Sequence, residues 1–205
     1  MNYLQFRNQF FDFTYFSINQ VYAWQADFDK SNITRWTKQN LLVKLRNGVY
    51  SFPEYLNTPN SQYFISNRIY RPSYVSLHSA LAFYGMIPEA VITTTAVGTQ
   101  KKTYFENAFG TFAYQHILPE LMFGYEQMPF LNGQNILLAQ PEKAILDLLY
   151  LYPYYSKEQE IRELRFDEDF MQNELNIERL NEYTDKFQSN TVRRRVDLLL
   201  KIYAL

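Results

Sequence analysis

The hydrophobic pattern of the first forty residues predicts three short helices. Apolar residues recur at helical spacing over residues 2–12, and a second helix is expected over about 18–25. Ser17 can cap that second helix, because its hydroxyl can accept a free backbone amide of the first turn. A polar turn then leads into a third helix, which ends near Gln39.

The third predicted helix has two chemically different faces. Ile33, Trp36 and Thr37 lie three and four positions apart, so they share one face and are expected to pack on a core. Either Asp29 or Ser31 is placed to cap the start of this helix. The remaining polar side chains point away from the apolar face: Asn32, Arg35, Lys38 and Gln39.

A hairpin signal follows the third helix. Asn40 accepts the left-handed conformation that often ends a helix. The β-type runs at 42–46 and 49–52 flank Asn47-Gly48, and this dipeptide favours a type I′ turn, in which both central residues have positive φ. Three helices followed by a hairpin predict a winged helix-turn-helix domain over residues 1–56, with the third helix as recognition helix and the hairpin as wing.

The rest of the chain predicts a mixed α/β domain over residues 60–152 and a helical segment over 153–205. A polar stretch between two prolines at 53–60 indicates a linker. Within the middle domain, a helix should end at Gly85 and another should begin at Pro141. Strands are expected over 91–97, 109–116, 122–128 and 136–139, and tail helices over 157–165, 167–175, 177–188 and 190–203. The predicted fold class is therefore α+β.

The charge distribution favours a local nucleic-acid contact. The 205-residue chain has a formal net charge of −1, which argues against a protein that coats nucleic acid along its whole length. Residues 30–50 nevertheless contain no acidic residue and five basic ones: Lys30, Arg35, Lys38, Lys44 and Arg46. A basic patch on a nearly neutral protein is typical of a compact module that reads DNA.

These residues define a candidate DNA-binding surface. Arginine pairs well with guanine, and asparagine or glutamine with adenine, so Asn32, Arg35, Lys38 and Gln39 are expected to contact double-stranded DNA. Lys44 and Arg46 on the wing would contact phosphate, which positions the protein without reading sequence. The alternative interpretation is a solvated helix face.

Composition removes several other classes of function. The chain contains no cysteine, so disulfides and thiolate metal sites are excluded. His78 and His116 lie on different predicted elements, and no nucleotide-binding glycine motif occurs, so we expect neither a metal nor a cofactor. No signal peptide and no membrane-spanning run is recognisable, which predicts a cytoplasmic protein without a membrane partner.

Two further clusters are candidate partner-binding residues. Glu142 and Lys143 begin the helix at Pro141, and Lys143 lies four residues before Asp147, so the two charges can pair. A structural ion pair or an interaction surface explains this cluster better than catalysis. The basic run Arg193, Arg194 and Arg195 is expected on the solvated side of the last helix, where Asp185 and Asp197 could pair with it.

Three motifs carry a resemblance to a known family. They are LLVKLRNGVY at 41–50, YVSLHSALAFYGMI at 74–87 and AQPEKAILDLL at 139–149. In this order they resemble the AbiEi-like antitoxins of type IV toxin–antitoxin (abortive infection) systems, which are predicted transcriptional regulators of viral defence. The resemblance implies a winged helix that represses its own operon and a remainder that counteracts a nucleotidyltransferase-like toxin. Asn40 stands where a glycine is common in that family, and the helical tail matches no motif.

Three alternatives stay open at this point. The protein could be a stand-alone regulator whose C-terminal part senses a ligand or mediates protein–protein contact. The winged helix could bind protein and not DNA. An enzyme would need Lys143 or Asp147 in its reaction, and we expect no enzymatic activity. Because one winged helix reads few base pairs, a DNA-binding role also predicts self-association on the operator.

Overall fold

The computed structural model describes residues 2–205 as a mixed α+β protein. N-terminal helices with a small three-stranded sheet come first, a six-stranded mixed sheet follows, and helices complete the chain. The predicted α+β class is confirmed at this level. None of the helices within residues 2–205 combines the length and apolar character that crossing a bilayer requires.

The N-terminal part contains the three predicted helices and one strand that was not predicted. Its elements are α1 (Tyr3–Phe10), β1 (Tyr15–Ser17), α2 (Ile18–Trp24), α3 (Ser31–Lys38), β2 (Val43–Arg46) and β3 (Val49–Ser51). The three strands pair antiparallel in the order β1-β3-β2. Strand β1 is only three residues long, which is too short for an alternating pattern to identify it.

A side-chain cap sets the start of α2, and hydrogen bonds from Ser31 to Asp29 precede α3. Ser17 Oγ accepts from the Gln20 amide at 3.2 Å, and Gln20 Oε1 accepts from the Ser17 amide at 2.7 Å, which confirms the predicted cap. Before α3, the Asp29 carboxylate accepts from the hydroxyl of Ser31 at 2.6 Å and from its amide at 2.9 Å. Both bonds lower the pKa of Asp29, and the bond from the Ser31 hydroxyl has the larger effect. Neither candidate is the cap itself, because Lys30 occupies that position without a side-chain cap bond, and Asp29 instead holds Ser31, the first residue of α3.

The predicted hairpin is confirmed, but its predicted turn geometry is wrong. Gly48 has a φ of 74°, whereas Asn47 is not in the positive-φ region that a type I′ turn requires. Strand β2 also has an irregular register between Lys44 and Arg46. The Gly48 carbonyl accepts from the Ile18 amide at 2.8 Å. This bond ties the tip of the hairpin to the start of α2, and the tertiary contact overrides the local turn preference.

An aromatic core positions α3 within the N-terminal part. The Phe6 ring is fully buried and lies 4.9 Å from the Trp36 ring, measured between centroids. Phe6 also contacts Phe16 at 5.1 Å and Phe28 at 5.7 Å. Aromatic pairs at such distances add to the stability gained from burial itself. Aromatic residues of β1, of the turn before α3 and of α3 itself therefore converge on one side chain of α1.

The predicted linker at 53–60 is wrong, because the chain packs tightly there. Residues Pro53–Asn57 form a short 3-10 helix in which Tyr55 is buried. The Tyr55 hydroxyl donates to the Phe11 carbonyl at 2.7 Å, and the two rings stack with centroids 5.0 Å apart. One aromatic residue within a polar stretch is thus enough to hold the segment against the N-terminal part.

The six-stranded sheet forms the middle of the protein. This region begins with α4 (Ser61–Ile69) and continues with β4 (Ser73–Val75), α5 (Leu77–Phe83), β5 (Thr93–Gly98), β6 (Thr103–Asn107), β7 (Gly110–His116), β8 (Tyr125–Pro129) and β9 (Asn135–Ala139). The order is β6-β7-β5-β4-β9-β8, and β4–β9 and β5–β7 are the parallel pairs. The helix ending at Gly85 was predicted correctly, whereas β4 and β6 were missed.

The C-terminal region is helical, as predicted. It consists of α6 (Pro141–Leu151), α7 (Glu158–Arg162), a π-helical turn (Phe170–Glu174), α8 (Ile177–Lys186) and α9 (Asn190–Ile202). Helix α6 packs against α5, α8 and α9. Residues 142–149 are consequently all buried, so this helix lacks the solvated face that an amphipathic pattern implies.

Polar contacts join the N-terminal part to the six-stranded sheet. The Asn107 amide nitrogen donates to the Leu45 carbonyl at 3.1 Å, and Gln134 Nε2 donates to the Phe13 carbonyl at 3.0 Å. Leu45 itself is buried in the larger apolar core, not in the N-terminal one. The β2–β3 hairpin is therefore bound to the six-stranded sheet through Leu45 and to the start of α2 through Gly48.

Candidate nucleic-acid interface

Helix α3 has one buried apolar face and one exposed polar face. Ile33 and Trp36 are 1% and 2% exposed, so they fix the helix in the aromatic core. On the opposite side Arg35, Lys38 and Gln39 are exposed. The two faces predicted from sequence are therefore present, and the polar one is accessible.

A shallow surface depression follows the exposed side of α3. Its lining consists of Ser31, Thr34, Arg35, Lys38 and Gln39. The Arg35 guanidinium donates to Asn32 Oδ1 at 2.6 Å, which orients the cation along the helix surface. Hydroxyl, amide and cationic donors are thus brought together on one helix face, and these groups suit phosphate oxygens and base edges.

The cations of this surface form no ion pair with a carboxylate of residues 2–205. In the part of the chain that the structure describes, no carboxylate lies within ion-pair distance of Arg35, Lys38 or Lys44. By contrast, Arg7 pairs with Glu54 at 3.0 Å. The exposed charges on α3 and β2 are therefore available to an external anion.

The two candidate wing residues differ in their surroundings. Lys44 is exposed on β2. The Arg46 guanidinium instead donates to the Ile69 carbonyl at the end of α4 and lies 5.5 Å from the centre of the Phe105 ring. Arg46 is exposed as well, but one of its guanidinium nitrogens is already bonded to the protein, so Lys44 is the less restrained of the pair.

The candidate partner-binding residues of α6 are buried, which contradicts that prediction. Lys143 is 0% exposed and Glu142 is 1% exposed, so neither side chain is presented to a partner. The Glu142 carboxylate accepts from the Asn176 amide at 2.9 Å and from Arg179 at 3.5 Å. Its role is to fix the start of α8. The physical reason for the error is that α8 and α9 cover the side of α6 that was expected to face solvent.

A buried charge network joins two of the three motifs that carry the family resemblance. Lys143 Nζ donates to the Asp147 carboxylate, and both side chains are fully buried. Asp147 also accepts from the Tyr74 hydroxyl and from Ser76 Oγ, each at 2.8 Å. Burial lowers the pKa of Lys143, an effect that Asp147 opposes. Burial, together with nearby Asp147, raises the pKa of Tyr74. These motif residues therefore stabilise the junction of β4 and α6.

Sequence reasoning missed Tyr74 and Ser76 as partners of Asp147. A signal was present, because Asp147 interrupts an otherwise apolar helical run and a buried carboxylate needs donors. The donors could not be identified because they lie 73 and 71 positions away, Tyr74 on β4, a strand that was itself not predicted, and Ser76 directly after it.

The three arginines of α9 have three different environments. Arg193 pairs with Asp185, as predicted, and also donates to Asn181 at 3.1 Å. Arg194 is exposed. Arg195 donates to the carbonyls of Leu149 and Pro153, so its guanidinium points into the protein and not toward solvent. The expectation of solvated arginines therefore holds fully for Arg194 only, because Arg193 and Arg195 are half-buried.

No metal site is evident among residues 2–205, since no three potential ligands are grouped there. His116 Nδ1 lies 3.2 Å from the Gln100 carbonyl, whereas the His78 ring lies beside Tyr152. No protein-family model matches the chain, and no curated protein matches it.

Proposed function

We propose that this protein is a DNA-binding transcriptional repressor that reads its operator with α3. The observation that carries the proposal is the division of α3 into two faces. Ile33 and Trp36 anchor the helix, while Arg35, Lys38 and Gln39 project into solvent without a carboxylate partner among the described residues. An exposed, cationic and rigidly mounted helix has the properties of a recognition helix.

The order of the N-terminal elements supports a winged helix-turn-helix. A helix and a short strand precede the pair α2 and α3, and the β2–β3 hairpin follows. Helix α3 would enter the major groove, which is wide enough for one α-helix. The hairpin would act as a short wing, held close to the body by the Gly48 carbonyl and by Leu45.

Each exposed polar residue has a role in this proposal. Arg35 is oriented by Asn32 and would donate to a guanine edge, for which the planar guanidinium is suited. Gln39 would contact adenine. Lys38 and Lys44 would contact phosphates and so set the register of the protein on DNA.

We further propose that this repressor is an antitoxin of the AbiEi-like type. The support is the ordered set of three motifs, of which the first contains the hairpin and the other two meet at Asp147. In this role the protein represses its own operon, and the six-stranded sheet with the C-terminal helices counteracts a nucleotidyltransferase-like toxin. The repressor acts on its operator as more than one copy, because a single module contacts few base pairs.

The repressor proposal is tested on the DNA upstream of the protein's own gene. Fluorescence anisotropy across a salt series compares this duplex with a scrambled duplex of equal length and composition. We expect the upstream duplex to bind at least about 10³-fold more tightly, as specific complexes do. Equal binding to both duplexes at physiological salt would exclude a sequence-reading role.

The antitoxin proposal has a separate test. The protein is co-expressed with a nucleotidyltransferase-like protein encoded beside it, and growth is measured. We expect growth to be restored by the wild type and equally by Arg35→Ala/Lys38→Ala, because α3 is assigned to DNA and the toxin is assigned to the remainder of the chain. Continued growth arrest with the wild type would leave a regulator without a toxin partner.

A further inference from the structure

A cavity lies where the end of α4, strand β4 and the start of β8 meet. It has a volume of about 250 Å³, and its lining includes Arg68, Arg71, Met122, Tyr125 and Leu137. It is distinct from the surface of α3, which has its own set of lining residues. Cationic and aromatic groups are thus combined in one concave site away from the candidate nucleic-acid interface.

Two guanidinium groups supply the cationic side of the cavity. Arg71 is exposed and donates to the Tyr15 hydroxyl at 2.5 Å, while Arg68 is half-buried and donates to the Asn135 carbonyl at 2.9 Å. Each guanidinium carries five N–H donors, so these bonds leave most of them free. Within residues 2–205 neither arginine has a carboxylate at ion-pair distance. This part of the cavity attracts a carboxylate or phosphate group.

An aromatic ring and two aliphatic side chains supply the apolar side. The Tyr125 ring stacks on the buried Tyr74 ring, with centroids 4.8 Å apart and an interplanar angle of 17°, and the Tyr125 residue remains 36% exposed. Met122 and Leu137 are half-buried beside it. A ring backed by a second, rigid ring is a good stacking platform for a flat ligand.

The neutral polar residues of the lining are already satisfied by the protein. Asn67 donates to the Leu137 carbonyl at 3.2 Å and accepts from the Leu137 amide at 2.7 Å, and Ser73 Oγ donates to the Tyr70 carbonyl. Recognition therefore depends on the two arginines and on the apolar wall, which together favour a negatively charged, planar ligand.

We propose that this cavity binds a small planar organic anion, namely a single aromatic or heteroaromatic ring that carries a carboxylate or a phosphate. The volume is below the usual range for drug-sized ligands, which limits the ligand to one ring. Arg71 also holds Tyr15 at the start of β1, and β1 leads directly into α2. A ligand that recruits Arg71 therefore acts on the junction between the N-terminal part and the sheet. The proposal does not depend on DNA binding by α3.

The test uses benzoate and phenyl phosphate as probes of the full-length protein. Binding is followed by NMR of the methionine methyl groups, because Met122 lies in the cavity. We expect a saturable shift of the Met122 signal with one or both probes, the better probe identifying carboxylate or phosphate as the preferred anion. Acetate, which lacks the ring, and phenol, which lacks the charge, should each bind at least about tenfold more weakly, as expected when one of two essential contacts is lost.

Three variants assign the binding to this cavity. Arg71→Met and Tyr125→Leu should each weaken benzoate or phenyl phosphate binding by about tenfold or more, because each removes one of the two recognition elements. Lys102→Met, which removes an exposed positive charge outside the lining, should leave binding unchanged. The proposal is overturned if no saturable shift appears up to the solubility limit of either probe, if acetate binds as well as benzoate, or if Lys102→Met weakens binding as much as Arg71→Met.

Discussion

Replacing Lys143 by methionine is expected to lower the free energy of unfolding by about 3–5 kcal/mol, because the change leaves a buried carboxylate without its cation. Lys143 and Asp147 are both 0% exposed. The lysine Nζ also lies 4.9 Å from the centre of the Phe187 ring and 5.0 Å from that of Phe123, so the cation has aromatic neighbours. The two hydroxyls that donate to Asp147 offset only part of the lost charge interaction.

The measurement is a double-mutant cycle in urea with Lys143→Met, Asp147→Asn and the combination. Asparagine keeps an oxygen acceptor for Tyr74 and Ser76, so the cycle isolates the ion pair. We expect the double variant to lose clearly less stability than the sum of the two single losses. Single losses below about 1 kcal/mol that add without coupling would contradict a buried, mutually dependent pair.

Trp36→Ala is expected to be the most damaging single change in the N-terminal part, with a loss of about 3–5 kcal/mol. The Trp36 side chain is 2% exposed, and its ring contacts Tyr3 at 5.5 Å and Phe6 at 4.9 Å. Removing it leaves a cavity directly beneath the exposed face of α3. We therefore expect DNA affinity to fall together with stability, although Trp36 does not face the DNA.

Unfolding of this variant can be followed by the tryptophan that lies at the edge of the same core. The chain contains two tryptophans, so Trp36→Ala leaves Trp24 as the fluorophore, and the Trp24 ring lies 5.5 Å from Phe10. Far-UV circular dichroism provides the second signal. The control is Trp24→Ala, which should cost less because this side chain is 43% exposed and removes less apolar area from water. Equal losses in the two variants would show that Trp36 does not anchor α3.

The candidate interface was predictable because its signals are local. The two faces of α3, the Ser17 cap and the Asn47-Gly48 hairpin each depend on residues within a few positions of one another. Short-range hydrogen bonds and helical spacing are sufficient for such features. The prediction of which α3 residues are exposed therefore agrees with the structure for Arg35, Lys38 and Gln39.

The errors concern contacts between distant parts of the chain. Arg46 lies on the hairpin and is exposed, as predicted, but its bond to the Ile69 carbonyl, 23 positions away, was not foreseen. The ion pair of Lys143 with Asp147 was predicted, but its burial was not, because it depends on α8 and α9 covering α6. Strand β4 spans three residues and pairs with β5 and β9. Its sequence is too short to show the alternating apolar and polar pattern that identifies a strand.

The most direct test of DNA binding through α3 compares two double variants that remove the same charge. Arg35→Ala/Lys38→Ala removes two cations from α3, and Lys101→Ala/Lys102→Ala removes two exposed cations from the turn between β5 and β6. Binding to the upstream duplex is measured by anisotropy across a salt series. We predict that the α3 variant loses at least about tenfold in affinity. The slope of its log affinity against log salt concentration should fall by the equivalent of about one to two phosphate contacts, while the turn variant should bind like the wild type. Equal losses in both variants would attribute binding to overall charge and contradict recognition by α3.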